Sequence, residues 1–197
     1  QKIGFGLASL ISLYASIFFF LHVNDTMVWK LPGNFISSPV FRLDALGMFF
    51  SFLVSLVSFA VSLFSFDYAK FYENRANLAV FASLFNAFIL SMLLVIASDG
   101  VFSFMLLWEI MTLISALLIL VNDGKGASKN VMIYLGIAQI GAFCLMVALL
   151  IMAHLADSFE FSSFLNMNIG FGASLTLFIL LLIGFGSKAG RSEERRV

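Results

Sequence analysis

The stretch Leu106-Leu107-Trp108-Glu109-Ile110-Met111-Thr112-Leu113 places one carboxylate inside an apolar run that covers residues 101–121. As a helix rising 1.5 Å per residue, that run is about 30 Å long and sets Glu109 about 12 Å in from its start, at mid-bilayer depth. An ionised side chain there costs several kcal/mol unless it finds a partner, a proton or water. The only other charge embedded in an apolar run is Lys188, within Gly184-Phe185-Gly186-Ser187-Lys188-Ala189-Gly190. The rest of the chain is read around these two residues.

The composition bounds the class. Of 197 residues, 61% are hydrophobic and only 11% are charged, and the mean hydropathy is +1.05. A soluble domain cannot bury that much apolar surface. The ten-residue alternating segments of a transmembrane β-barrel are missing. The expected fold class is therefore all-α, a polytopic transmembrane helical bundle. The formal net charge is zero, which gives no footing for nucleic acid. The single cysteine, Cys144, excludes an internal disulfide. No cluster has metal-ligand spacing, and His22 and His154 both stand near run ends without a spaced partner, so neither a metal nor a cofactor is expected.

Six apolar runs follow one another, at about 3–22, 43–66, 78–98, 101–121, 131–154 and 169–190. Pro32-Gly33-Asn34 and Ser37-Ser38-Pro39 favour turns in the connection 23–42, where Trp29 suits a membrane interface. Asp44 opens the second run, where a carboxylate suits the helix dipole. Gly4, Gly6, Ala8 and Ala15 offer the first run small faces for close packing, and the phenylalanine-rich stretches 18–20, 49–52 and 64–66 read as lipid-facing or packed bulk. If all six runs cross, Lys2, Lys70, Arg75, Lys125 and Lys129 fall on one side and only Lys30 and Arg42 on the other. The positive-inside rule then makes the first side cytoplasmic. The acidic link carrying Asp157 and Glu160 falls on the side with fewer bases.

The two intramembrane charges admit a plain reading and a functional one. Glu109 is either a structural carboxylate bonded to a neighbouring helix or a proton carrier. Desolvation and a movable counter-charge are the two levers that switch a carboxyl between holding and releasing a proton. Lys188 is either that counter-charge or an interfacial lysine that snorkels from a helix end. Gly184, Gly186 and Gly190 weaken the helix around it, and discontinuous helices recur at transporter ion sites. Asn86 and Gln139, with Tyr134, read first as interhelical glue. Thr112 and Ser115 stand where they could hydrogen-bond or hold water near Glu109. The glycine-rich segment 184–190 lacks the order of a phosphate loop.

The composition breaks after Gly190. Arg191-Ser192-Glu193-Glu194-Arg195-Arg196-Val197 is either a charged cytoplasmic tail or, the preferred reading, translated sequencing-adapter DNA, since such a string encodes these seven residues. Together with a first residue that is not methionine, this leads to the expectation of a fragment truncated at both ends, with one transmembrane domain over 1–190 and a non-native tail over 191–197.

Trp108-Glu109, the segment Gly184–Gly190, Ser98-Asp99 ahead of the fourth run and the spacing from Glu109 to Lys188 together carry a specific resemblance. Over residues 1–190 the chain resembles the antiporter-like proton-translocating membrane subunits shared by respiratory complex I, Mrp-type sodium/proton antiporters and membrane-bound hydrogenases. It is most similar to the branch of hydrogenase-4 component B and formate hydrogenlyase subunit 3. The resemblance implies a larger fold with two inverted five-helix repeats, each with a broken helix. The third run here would open the first repeat, and the sixth would stop partway through that repeat's broken helix. It also implies a proton-translocating pair made of Glu109 and Lys188, with no redox centre in the subunit. The implied partners are other membrane subunits and soluble redox subunits, protons or sodium ions, and lipid, in the inner (plasma) membrane. The alternatives are an Mrp-type cation/proton antiporter subunit and a scaffold that only anchors redox subunits. Where the family continues with a Val-Pro-Leu-His-type segment, this chain has its charged tail instead.

Overall fold

The computed structural model describes residues 2–30, 40–68, 78–122, 127–167 and 169–189. The segment 191–197, read above as adapter-derived, lies outside the described residues. Six α-helices carry the fold: α1 (Lys2–Leu21), α2 (Ala45–Tyr68), α3 (Leu78–Ala97), α4 (Val101–Asn122), α5 (Ala127–Ala156) and α6 (Phe171–Ala189). Five of them, α2 to α6, are long and apolar enough to cross a membrane, and α1 adds an apolar stretch over Leu10–Leu21. Long apolar runs free of proline allow unbroken helices, and both prolines of the chain fall at positions 32 and 39, outside them. The chain is a multi-pass membrane protein.

Local chemistry marks the helix ends. Asp44 does more than complement a dipole. Its Oδ1 accepts the Gly47 amide at 2.8 Å and its carbonyl accepts the Met48 amide at 2.8 Å, which makes it the N-cap of α2. At the other end of the series, α5 closes with Asp157 at φ 51°. The Ser158 amide reaches the Ala153 carbonyl at 3.1 Å, so the helix ends in a Schellman motif with aspartate in the left-handed position.

Two elements depart from the sequence reading. The connection between α1 and α2 contains a short antiparallel hairpin, β1 (Met27–Lys30) on β2 (Val40–Leu43), in register Met27 to Leu43 and Lys30 to Val40. The α5–α6 link contains a 3-10 helix, Phe161–Asn166. Both meet the Ser98-Asp99-Gly100 turn. The Asp99 amide donates to the Val40 carbonyl at 2.9 Å, the Val101 amide to Phe159 at 3.0 Å, and the Phe161 amide to Asp99 at 3.1 Å. Arg42 Nε closes on Asp99 Oδ2 at 3.0 Å. The three connections that alternation assigns to one side of the membrane are therefore joined on one side in the structure.

The core sits between α3, α4 and α5, where Val101, Trp108, Met111, Ala142, Leu145 and Leu149 pack together. The α1–α2 pair is sealed differently. Apart from Met48 near the start of α2, its described buried positions are Ser12 and Ser16 on α1 and Ser51, Ser55, Ser58 and Ser62 on α2, small side chains that bring two helices close. Of the small residues expected to pack the first run, Ala15 is half-buried, and the surroundings of Gly4, Gly6 and Ala8 lie outside the described set. Phe20, Phe49, Phe50 and Phe64 are exposed, as lipid-facing bulk requires. Trp29 is exposed on the hairpin.

Candidate functional site

The site is organised around α4, which carries Trp108, Glu109, Thr112 and Ser115 and meets Tyr134 and Gln139 of α5 and Lys188 of α6. Trp108 and Thr112, four residues apart, share the face that is buried. The Thr112 hydroxyl donates to the Trp108 carbonyl at 2.8 Å. Its proton is thus committed, and its lone pairs are left to accept from elsewhere. Lys188, on α6, supplies the donor: its Nζ lies 2.6 Å from Thr112 Oγ1. The same Nζ stands 4.8 Å from the centre of the Trp108 ring.

Glu109 is one residue along and so turned about 100° from Trp108. It is half-buried. Its Oε2 accepts the Gln139 Nε2 amide of α5 at 2.9 Å. Among the described residues the one ion pair within 4.0 Å is Arg42–Asp99, so Glu109 and Lys188 do not touch. The structure sets them on adjacent faces of one helix, each bound to a neutral partner. One turn further on, Ser115 bonds the Tyr134 hydroxyl of α5 and donates to the Thr112 carbonyl at 2.8 Å.

Of the residues singled out from sequence, Glu109, Lys188, Thr112, Ser115 and Gln139 converge on α4. Thr112 serves Lys188 rather than Glu109, because its position four residues after Trp108 faces α6. Asn86 lies exposed on α3. Helix α6 also runs unbroken from Phe171 through Ala189, so Gly184 and Gly186 do not interrupt it. Gly190, where a break would follow, is outside the described residues.

Gly184 is used for contact instead. A Cβ there would meet Leu145 Cβ at 3.0 Å and the Gly141 carbonyl at 3.3 Å, while a Cβ on Gly141 would overlap Ser187 Oγ at 1.7 Å. This glycine contact lets α5 and α6 approach closely and sets the height at which Lys188 meets α4. The sequence reading missed both Gly141 and the ring of Trp108. The available signal was a tryptophan directly before the glutamate and four residues before a threonine. No group of three histidine, cysteine or acidic side chains able to hold a metal occurs among the described residues.

No family model matches the chain. Hydrogenase-4 component B of Escherichia coli (strain K12) is 32% identical over 171 residues, which make up 86% of this chain and 25% of that protein. The chain belongs to the family of antiporter-like membrane subunits. Its backbone agrees. The structure of the Mrp complex from Dietzia sp. DQ12-45-1b contains a chain that superposes with a TM-score of 0.80 at 19% identity, over 95% of this chain and 21% of that one. Respiratory complex I from Thermus thermophilus with bound NADH gives 0.73 at 19% identity, over 94% and 38%. At these identities the likeness shows the fold alone. The antiporter-like chain spans about a quarter of the length of the first curated relatives it matches.

Proposed function

We propose that this chain is part of a proton-translocating membrane subunit in which Glu109 and Lys188 form a switchable pair. One observation carries the reading. Glu109 of α4 and Lys188 of α6, opposite charges within apolar helices, meet neighbouring faces of α4, and each is held by a neutral hydrogen-bond partner rather than by the other. A lysine on a four-carbon stem can leave Thr112 for Glu109, and closing that ion pair changes which group holds its proton most tightly. A charge change arriving from a neighbouring subunit would drive the move, and Lys188 would then give or take a proton along a hydrated path.

The assembly we favour is a membrane-bound hydrogenase, formate hydrogenlyase or complex-I-like complex in the inner (plasma) membrane. The hydrogenase-4 component of Escherichia coli supports that choice. The chain would be its non-redox part, beside other membrane subunits and soluble redox subunits.

The test uses the longest native form of the protein in membrane vesicles. Glu109→Gln and Lys188→Met should each lower proton uptake by about tenfold or more while the assembly remains intact. Uptake that survives both substitutions overturns the reading. Repeating the assay with sodium and without a redox donor separates an Mrp-type antiporter, which would exchange under those conditions.

A further inference from the structure

We infer that the indole of Trp108 is the seat that holds the Lys188 ammonium away from Glu109, with the Thr112 hydroxyl as its second arm. This deepens the function proposed above and rests on it only for what the seat does in transport. The contact itself stands on geometry.

Lys188 Nζ lies 4.8 Å from the ring centre, inside the range over which an ammonium is attracted to the negative face of an aromatic ring. Tryptophan gives the strongest such face of the three aromatic side chains. The ring is buried, so water competes weakly for the cation. It is also fixed. Phe104 stacks on it at 5.6 Å between centroids, and Phe185 of α6 meets it edge-on at 5.6 Å and 78°. The second arm is part of the same helical turn, because the Thr112 hydroxyl is oriented by the Trp108 carbonyl. Ring and hydroxyl therefore present one pre-formed cradle to Nζ.

The cradle also accounts for the open pair. Glu109 is adjacent in sequence to Trp108 yet bonded to Gln139 on α5. An ammonium held by ring and hydroxyl on the α6 side has a reason to stay there. Trp108 is a positioning residue in this account: it sets where the charge of Lys188 waits.

The experiment uses the full protein in membranes with every tryptophan except Trp108 replaced by phenylalanine, which in this chain means Trp29→Phe. The Trp108 emission is recorded with and without Lys188→Met. Loss of a charge seated over the ring should shift the emission maximum; identical spectra overturn the seat.

Labelling of Lys188 by a membrane-permeant acylating reagent is then followed by mass spectrometry. Trp108→Leu should raise labelling by about threefold to thirtyfold, the range a cation–π contact spans, with Trp108→Phe between it and the parent. A packing role would make phenylalanine and leucine alike, and equal labelling in the parent and the leucine variant overturns the proposal. Neither readout needs proton transport. A failed pump assay with a lysine-dependent spectrum would reject the function and keep the seat.

Discussion

Two sets of opposite charges among the described residues are arranged differently. On the connecting-loop side, Arg42 touches Asp99 at 3.0 Å. Between the helices, Glu109 and Lys188 stay apart, each on a neutral partner. The first pair joins β2 to the α3–α4 turn, beside the amide bonds that join the same turn to β2 and to the α5–α6 link. A closed pair in such a setting is a fastener. The second pair lies on two separate helices, α4 and α6, where a shift of one lysine makes or breaks it. Contact suits structure, and separation with a defined waiting place suits switching.

The largest effect that would break this contrast comes from the glycine contact. Gly141→Ala drives a Cβ into Ser187, which forces α6 away from α5 and takes Lys188 with it. We expect loss of the Lys188–Thr112 contact and a destabilisation of about 1–3 kcal/mol, the usual cost of overpacking. Thermal unfolding in detergent checks it. Adding Ser187→Gly removes the clashing atoms and should recover most of the loss. A Gly141→Ala protein as stable as the parent would show that the close approach does not set the lysine.

Next comes the fastener. Asp99 is only 6% exposed. Burial pushes its carboxyl above the ordinary value of 3.8, and Arg42 pulls it partway back. A raised folded-state pKa means that ionisation costs stability, so this group's contribution is fully present below pH 3.8 and is lost as pH rises through the folded value. Arg42→Met removes the compensation. Its deficit should be about 1–2 kcal/mol near pH 7, reduced from a fully buried pair because Arg42 is 41% exposed. The deficit should shrink as the pH is lowered and Asp99 protonates. A deficit that stays constant with pH would assign the loss to packing of the arginine stem. The smallest effect belongs to Asn86→Leu. Since Asn86 is exposed and is not among the partners of Glu109 or Lys188, Lys188 labelling should be unchanged, and a change would enlarge the site to include α3.

The parts of this account legible in sequence are those governed by composition along the chain. Long apolar runs set the spans. The alternation of the spans grouped the connections now seen joined at Asp99. The rarity of charge inside the runs picked out Glu109 and Lys188. What faces what was less legible, because transmembrane helices are apolar all round and their pattern does not mark the packed side. That is why sequence groups Asn86 with Gln139, although both are exposed and it is Gln139 that bonds Glu109. The four-residue strands at 27–30 and 40–43 carry too short a pattern to announce themselves, and their pairing depends on the turn they meet. Gly184 was noticed for its flexibility, while its use is close approach, which only the position of Gly141 on the neighbouring helix reveals.

The most direct test of the central claim is a double-mutant cycle on Glu109 and Lys188, read as proton uptake by the full protein in membrane vesicles. If the two charges act as one switch, Glu109→Gln and Lys188→Met should each lower uptake by about tenfold or more, and the double variant should be no worse than either alone, a coupling in the 1–3 kcal/mol range. Losses that multiply independently would contradict the account, leaving Glu109 and Lys188 as separate residues that happen to border one helix.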